Sequence, residues 1–288
     1  MNQQRLGHSG TLYVVATPIG NLQDITLRAL ETLKTVDVVA AEDTRHTAQL
    51  LGHFGIQAKL SALHEHNERH AGQKLVELLQ SGQSVALVSD AGTPGISDPG
   101  MLLVAMAQAA GVHVVPIPGA NAAITALSAA GMDAPHFLFY GFLPPKAAQR
   151  RGGLETLSEL PYCLVFYEAP HRVLDSVADL VSVLGETRTI TFARELTKTF
   201  ETIHTCLLGD ALAWLENDPN QQRGEFVLLV EGAPVANERA ISRDAQNTLE
   251  ILLRDLPLKQ AVKLAAEISG VKKNALYELA LTLKPESP

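Results

Sequence analysis

Short apolar runs rich in β-branched and aromatic residues alternate along most of the chain with stretches of helical periodicity. Eight such runs predict strands, at residues 11–16, 36–41, 84–89, 112–117, 137–142, 163–167, 187–193 and 225–230. The spacing of apolar positions predicts helices at residues 74–80, 99–110, 147–160, 173–184 and 210–216. Strands that alternate with helices predict α/β architecture with mostly parallel sheets, in two halves that meet near residues 118–121.

The pattern changes to helices alone after residue 232. A polar connection, APVANERA, precedes three helical stretches at residues 243–255, 258–269 and 272–283, and the last two resemble a helix-turn-helix joined across SGVKK. We therefore predict an α/β domain at residues 1–118, a second at 119–232, and a linker with a small all-helical segment at 233–288.

Polar or Gly/Pro-rich loops follow six of the predicted strands, at residues 17–21, 42–45, 90–94, 118–121, 168–172 and 194–198. In open α/β sheets, ligands bind beyond the carboxyl ends of the strands. Loops commonly contain glycine, proline and aspartate, so any one of these loops is weak evidence. Their recurrence in both halves predicts a ligand cleft between the two domains.

The loop at residues 89–100, SDAGTPGISDPG, is the most distinctive of these stretches. Its three glycines allow the backbone to approach a ligand closely, and Asp90 at the strand end can accept hydrogen bonds from a hydroxyl or amine. The alternative is a long turn in which Asp98 caps a helix that begins at Pro99. For Asp98 itself, we expect the capping role.

Composition and charge limit the classes of protein that are possible. The chain has 46% hydrophobic and 19% charged residues, which predicts folded cores. Its net charge of −8 is uneven, because residues 241–288 carry seven Lys/Arg against six Asp/Glu. Any contact with RNA is therefore expected to be local. The polar first ten residues and the lack of a long apolar run predict a cytoplasmic protein without a membrane span.

Several familiar signatures are absent from the sequence. It contains no G-x-x-x-x-G-K-[ST] loop, no G-x-G-x-x-G after the first strand and no G-x-S-x-G elbow. His64, His66 and His70 resemble a metal cluster, but we favour a solvated or substrate-facing loop and expect no metal. Cys163 lies in a predicted strand and is expected to be a core residue.

Several long motifs follow one another in a specific order. They are ATPIGNLQDIT (16–26), AEDTRHT (41–47), VSDAGTPGISDPG (88–100), PGANAAITALSAAG (118–131), FYEAPHR (166–172), ARELTKTFET (193–202) and GVKKNALYELAL (270–281). With these motifs, residues 12–283 resemble the tetrapyrrole methylase superfamily, specifically its branch of bacterial 16S rRNA (cytidine-2′-O)-methyltransferases.

The resemblance implies a homodimer in which each chain holds S-adenosylmethionine in the cleft between two α/β domains. The residues that it implies as cofactor neighbours are Pro18, Ile19, Asp90, Ala91, Thr93, Ala120, Asn121, Ala122, Tyr167, Glu168, Leu196, Gly224, Glu225 and Phe226. The implied partner is 16S rRNA, either free or assembled in the 30S subunit.

The implied reaction needs an activated ribose hydroxyl, because a neutral hydroxyl is a poor nucleophile. The candidates at two strand ends include Asp43 and Arg45 at one and Glu195 and Lys198 at the other. Our hypothesis is that Lys198 or Glu195 assists deprotonation, while Arg45 and Arg194 hold RNA phosphates. The alternative for Glu195 and Lys198 is an ordinary ion pair.

The C-terminal helices carry a local excess of positive charge. Residues 256–277 contain four lysines, Lys259, Lys263, Lys272 and Lys273, and one acidic residue, Glu267. A helix-turn-helix with lysines can hold a phosphate backbone, and a dimerisation or capping element is the alternative.

Two other functions are compatible with parts of the sequence. A methylase of a small tetrapyrrole would share the core fold, but the lysine-bearing helices and the motif set argue against it. A non-catalytic nucleic-acid-binding regulator would use the helix-turn-helix, but it would not need polar or Gly/Pro-rich loops at the ends of six strands.

Overall fold

The computed structural model describes residues 10–64, 66–133, 135–234 and 243–283. The chain divides into two compact units, one ending at Ala233 and the other beginning at Pro234. The domain boundaries placed after residues 118 and 232 stay predictions, and most of the expected linker lies outside the described residues. None of the described helices has the length and apolar character that crossing a membrane would require.

The first sheet has five parallel strands in the order β3-β2-β4-β1-β5. They are β1 (Thr11–Val15), β2 (Val38–Ala41), β3 (Leu60–Ala62), β4 (Val85–Val88) and β5 (His113–Ile117). The helices that connect them are α1 (Leu27–Thr35), α2 (Thr44–His53), α3 (Glu68–Gln80) and α4 (Met101–Ala109). The short edge strand β3 was not predicted from the apolar pattern.

Helices on both faces bury the central strands of this sheet, which explains the uninterrupted apolar sequences of β2 and β4. Val38 belongs to a core cluster with Leu75 of α3 and Leu103 of α4. The next residue, Val39, points to the opposite face and belongs to a cluster with Leu33 of α1. Because both faces are covered, a ligand can reach this sheet only at its strand ends and edges.

The second sheet has the order β6-β7-β10-β8-β9 and is mixed. Its strands are β6 (Phe137–Phe142), β7 (Cys163–Glu168), β8 (Thr189–Arg194), β9 (Thr202–Leu207) and β10 (Phe226–Val230). Only β6 and β7 pair in parallel, so the expectation of mostly parallel pairing is wrong here. The unpredicted strand β9 follows β8 after residues 195–201, a connection shorter than the dozen or so residues that a parallel crossover needs.

Helices also cover both faces of the second sheet. They are α5 (Ala122–Ala129), α6 (Ala147–Glu155), α7 (Val173–Leu184) and α8 (Leu208–Asn217). Ala126 of α5 clusters with Val227 of β10, whereas Leu228, the next residue along the strand, clusters with Leu180 of α7 on the other face. This arrangement leaves the loop after β8 and the start of β10 beside the N-terminus of α5.

A buried ion pair connects α6 to α7. The Nε atom of Arg150 donates a hydrogen bond to Oδ2 of Asp179 over 2.7 Å, and the Arg151 guanidinium reaches Oδ1 over 3.1 Å. Arg150 is only 4% exposed and also donates to the carbonyl oxygen of Pro144. The pair therefore holds the chain that follows β6 against the helix that follows β7.

The second unit consists of α9 (Arg243–Asp255), α10 (Leu258–Ser269) and α11 (Lys273–Leu283), which confirms the three predicted helices. Leu249, Val262 and Leu276, one from each helix, meet in a core of their own. Gly270 ends α10 with a φ of 72°, the left-handed conformation that favours glycine, and the chain then turns into α11.

We predict that Asp179→Ala destabilises the protein by about 3 kcal/mol, because it leaves the Arg150 charge buried without its partner. The free energy of unfolding from urea titration measures this change. Asp175→Ala on the same helix is the control, since Asp175 is exposed and its loss should cost less than about 0.5 kcal/mol. Equal effects of the two substitutions would contradict the assignment.

Candidate active site

A cavity of about 340 Å³ lies where the strand-end loops of the two sheets converge, and its volume is within the range of small-molecule sites. Residues of the first half that line it are Ile19, Ala91, Gly92, Thr93, Ile96, Ser97 and Asp98. Those of the second half are Asn121, Ala122, Phe142, Tyr167, Glu168, Ala169, Pro170, Ala193, Leu196, Glu225, Phe226 and Val227. The predicted cleft between the two halves therefore exists as a cavity.

Hydrogen bonds join three loops on the side of the first sheet. Thr17 and Gly92 exchange backbone hydrogen bonds of 2.8 and 3.1 Å, which ties the loop after β1 to the loop after β4. The Thr93 hydroxyl donates to the carbonyl oxygen of Ala120 over 3.0 Å and adds the loop after β5. Three loops that are distant in sequence thus form one wall of the cavity.

The loop after β8 forms the rim of the cavity on the side of the second sheet. Its residues Glu195 and Thr197 have φ angles of 50° and 67°, which non-glycine residues rarely adopt. Leu196 lies between these two residues, is 6% exposed and lines the cavity. Strained backbone of this kind persists only where surrounding contacts hold it.

A charged cluster supplies those contacts. The Lys198 ammonium donates to Oε1 of Glu195 and to Oε2 of Glu225, each over 2.8 Å. The backbone N–H of Glu225 also donates to Oε1 of Glu195. A Cβ atom on Gly224 would lie 2.4 Å from Cγ of Glu195, so the cluster packs directly against that glycine.

The contacts within this cluster keep Lys198 and Glu195 in their ionised forms. Burial acts against the Lys198 charge, but hydrogen bonds with Glu195 and Glu225 outweigh it and hold the pKa of Lys198 above its usual value. Burial likewise opposes the charge of Glu195, but the bonds from Lys198 and the Glu225 N–H hold the pKa of Glu195 below its usual value. The geometry matches the ion pair that the sequence left open as an alternative.

The same rim contacts the first half of the molecule. The backbone N–H of Asn21 donates to the Thr197 hydroxyl over 3.0 Å. A Cβ atom on Gly20 would lie 2.6 Å from Cγ of Lys198, so the loop after β1 packs closely on the charged cluster. The two halves therefore meet directly beside the cavity.

Ten of the fourteen predicted cofactor neighbours line the cavity. They are Ile19, Ala91, Thr93, Asn121, Ala122, Tyr167, Glu168, Leu196, Glu225 and Phe226, whereas Pro18, Asp90, Ala120 and Gly224 lie in adjoining positions outside the lining. Contact with a cofactor stays a prediction for all of these residues.

Glu168 contributes to the cavity in a limited way, because its side chain is fully buried. Its carboxylate accepts hydrogen bonds from the Ser176 hydroxyl and the Ala169 N–H and lies 3.4 Å from Nε of Arg172. The carboxylate therefore holds the start of α7 in place.

Asp43 and Arg45 form a surface pair outside the cavity lining. Asp43 caps α2 by accepting from the Arg45 N–H, and its carboxylate lies 2.7 Å from the Arg45 guanidinium. These hydrogen bonds lower the pKa of Asp43. The Arg45 side chain is 89% exposed, which leaves it accessible to a macromolecule.

Arg194 lies in the interior, although we predicted that it holds RNA phosphates. It is 7% exposed, and its guanidinium donates to the carbonyl oxygens of Arg223 and Phe200 and to the Thr202 hydroxyl. A contact with phosphate would require these bonds to break, so the geometry favours a structural role at the β8–β9 hairpin.

Asp98 lines the cavity, and the capping role expected from the sequence is wrong. Helix α4 begins at Met101, and Oε1 of Glu68 caps it by accepting from the N–H groups of Gly100 and Leu102 over 2.8 and 3.0 Å. The Ser-Asp-Pro sequence is typical of a helix start. Only the approach of Glu68 from α3 reveals that another residue supplies the cap.

The environment of Asp98 raises its pKa to about 6. Burial is the largest cause, followed by the negative charge of Glu42; a smaller contribution from Asp90 adds to these, and a hydrogen bond with Ser89 opposes them. Glu42 itself has a raised pKa, caused by burial and then by the charge of Asp90. This side of the cavity is therefore acidic and disfavours further negative charge.

The histidine segment after β3 lies apart from this cavity. Among the described residues, which leave out Glu65, no group of three or more His, Cys, Asp or Glu side chains is placed to hold a metal ion. His66 and His70 instead line an open surface groove beside α4.

The four lysines predicted to bind RNA lie in the helical unit, where all are exposed. Lys259 and Lys263 are on α10, and Lys263 pairs loosely with Glu267 over 3.8 Å. Lys272 and Lys273 lie at the turn into α11. Their binding of RNA stays a prediction.

Two family models match the chain. The model for Tetrapyrrole (Corrin/Porphyrin) Methylases matches residues 11–212, and the model for the RsmI C-terminal HTH domain matches residues 239–284.

Two curated relatives match over nearly their whole length. The chain is 57% identical over 272 residues to the Ribosomal RNA small subunit methyltransferase I of Escherichia coli O157:H7, covering 94% of this chain and 95% of that protein. It is 56% identical over 281 residues to the protein of the same name from Pseudomonas aeruginosa, with coverage of 97% and 99%.

Solved structures share the fold at low sequence identity. The crystal structure of the methyltransferase CobJ has a TM-score of 0.60 at 21% identity, over 78% of this chain and 95% of that one. The uroporphyrin-III C-methyltransferase of Thermus thermophilus, complexed with S-adenosylhomocysteine, has a TM-score of 0.55 at 18% identity, over 77% and 97%. At such identities the likeness shows the fold alone.

The fold is a two-sheet α/β architecture, and the family model together with the curated relatives shows that the chain is a methyltransferase. The chain belongs to the tetrapyrrole methylase family, in the branch that carries this C-terminal helix-turn-helix domain. The family expected from the sequence motifs is thereby confirmed.

We predict that Asp98→Asn stabilises the protein above pH about 6 and has little effect near pH 4. A raised pKa means that folding stability falls as the carboxyl ionises between its unfolded value of 3.8 and its folded value of about 6. Asparagine does not ionise and so avoids this loss. We expect the free energy of unfolding to rise by about 1 kcal/mol, a modest amount because the site is only half-buried. Urea unfolding across this pH range measures it, and a difference that does not depend on pH would contradict the prediction.

Proposed function

We propose that this chain uses S-adenosylmethionine to methylate the ribose 2′-hydroxyl of a cytidine in small-subunit ribosomal RNA. One observation carries the proposal: a cavity suited to a small cofactor and a lysine-bearing helix-turn-helix occur in one chain. The relatives with over 55% identity across both parts bear the name of ribosomal RNA small subunit methyltransferases. A ribosomal substrate also implies action in the cytoplasm.

The cavity fits S-adenosylmethionine in size and in chemistry. Ile19, Leu196 and Phe226 offer apolar walls to a nucleoside, and the loops at Thr93 and Asn121 offer backbone polar groups. When bound, the cofactor supplies an electrophilic methyl group on a positively charged sulfur. The apolar walls exclude water, and the acidic side around Asp98 suits a positively charged ligand.

The protein's task in this reaction is mainly to place a hydroxyl in line with the methyl group. The strained turn at Leu196 and the loop at Ile19 border the cavity from opposite halves and would set that placement. Because Lys198 is held protonated between two carboxylates, its geometry favours holding this turn over accepting a proton. The assisting roles predicted for Glu195, Asp43 and Arg45 stay predictions.

The helical unit is proposed to bring the RNA to the enzyme. Its exposed lysines can neutralise phosphates without reading bases, as expected when the bulk of the chain is acidic. We also propose that the protein acts as a homodimer, as the family resemblance implies.

The direct test is transfer of tritium from labelled S-adenosylmethionine to purified small ribosomal subunits that lack the modification. Digestion to nucleosides and chromatography then identify the labelled product. We expect label in 2′-O-methylcytidine. Label in a base, or none in RNA while a tetrapyrrole accepts it, would replace the proposal by another methylase activity.

We predict that Lys272→Gln with Lys273→Gln weakens RNA binding and reduces the slope of log affinity against log salt by about 1–2, because one or two phosphate contacts are lost. Filter binding of subunit RNA at several salt concentrations measures both quantities. Affinity for S-adenosylmethionine should not change.

The matched control replaces two exposed lysines of the first unit, Lys34 and Lys59, by glutamine. This variant removes the same amount of charge and should keep the wild-type salt slope. If both double variants reduce the salt slope equally, the effect is one of net charge, and the helical unit has no special role in RNA binding.

A further inference from the structure

Three residues of the cavity lining carry carboxylates, and these differ in whether a cation neutralises them. They are Asp98, Glu168 and Glu225. Glu168 lies 3.4 Å from the guanidinium of Arg172, and Glu225 accepts from the Lys198 ammonium over 2.8 Å. Asp98 takes part in no ion pair within the part of the chain that the structure describes. It shares a hydrogen bond with Ser89, and it is the carboxylate of the lining that no described cation neutralises.

The backbone around Asp98 is held in one conformation. Ser97 has a φ of 77°, a left-handed conformation that is uncommon for a non-glycine residue, and Pro99 follows Asp98 directly. Glu68 then fixes the chain by accepting from Gly100 and Leu102. A constraint on each side of Asp98 keeps this residue at the cavity.

We infer that Asp98 is the proton acceptor for the hydroxyl group that is methylated. The inference rests on the proposed function and assigns its proton acceptor to Asp98 instead of Glu195 or Lys198. The hydroxyl oxygen bonds to the methyl carbon while the carbon–sulfur bond breaks with its electrons left on sulfur, and Asp98 takes the hydroxyl proton. Exchange with water then returns the carboxyl to its ionised form.

The electrostatic surroundings of Asp98 support this role. The titratable groups that interact with it are Glu42 after β2, Asp90 in its own loop after β4 and Tyr167 on β7, and none of them is a cation. Burial and the charge of Glu42 raise the pKa of Asp98 to about 6, so the group is ionised at neutral pH and yet more basic than an ordinary carboxylate. Lys198 has the opposite character, because its raised pKa keeps it protonated.

The test compares full-length wild type, Asp98→Asn, Asp98→Glu and Asp210→Asn in single-turnover transfer to unmodified small subunits at saturating cofactor. Asp210 is an exposed residue in the first turn of α8 and provides a matched change away from the cavity. Calorimetry measures binding of S-adenosylmethionine and S-adenosylhomocysteine, and thermal melting shows that each variant is folded.

We expect Asp98→Asn to lower the transfer rate by about a hundredfold or more, with cofactor affinities within about threefold of wild type. The wild-type rate should rise with pH to a plateau above about 6, and the Asp98→Asn rate should lack this rise. Asp98→Glu should recover part of the rate, because it restores a carboxylate, and Asp210→Asn should match wild type.

Two results would overturn the inference. One is an Asp98→Asn variant that keeps the wild-type rate or its rise with pH. The other is a variant that binds S-adenosylmethionine more weakly but reacts at the wild-type rate once saturated, which would make Asp98 a cofactor-binding residue. A wild-type protein that binds cofactor but transfers nothing to RNA would instead overturn the proposed function.

Discussion

The contact between the loop after β1 and the loop after β8 is the constraint on which the cavity depends. Asn21 binds Thr197 through its backbone, and Gly20 packs on Lys198, so the open edges of two separate sheets meet at one place. Each sheet is covered by helices on both faces, and its strand ends are where ligand-binding groups can accumulate. This contact therefore joins the cavity walls that the two sheets contribute.

The meeting of the loops has an energetic cost that other interactions offset. Glu195 and Thr197 adopt left-handed backbone, each at an expense on the order of 1 kcal/mol. Lys198 offsets this by bridging Glu195 and Glu225, and both glycines at the contact lack the Cβ atom that would obstruct it. The left-handed backbone, the Lys198 bridge and the two glycines therefore act together, and they place Leu196 against the cavity.

Charge is distributed differently on the two sides of the cavity. Lys198 balances the carboxylates at the rim, whereas Glu42, Asp90 and Asp98 come together without such a balance. In such surroundings carboxyl groups of one residue type acquire different proton affinities. An acidic cavity also suits a positively charged cofactor better than its neutral product. Under the proposed function, RNA contact would fall to the exposed lysines of the helical unit and to exposed groups such as Arg45.

The sequence by itself determined the family, the alternation of strands and helices, the three C-terminal helices and most of the cavity's lining. The family and the individual lining residues follow from the resemblance of the ordered motifs, whereas the strands, the helices and the expectation of a cleft follow from apolar periodicity and from loops that recur at strand ends. The tertiary structure alone decided the antiparallel pairing of β9, because its apolar signal is weak and its partner strand defines it. It also decided which charged side chains are bound to other parts of the protein. Arg194 and Glu168 have buried hydrogen-bond partners that cannot be inferred from the spacing of residues in the sequence. Asp98 is the clearest case: its local sequence indicates a helix cap, and the approach of Glu68 from another helix releases it to the cavity.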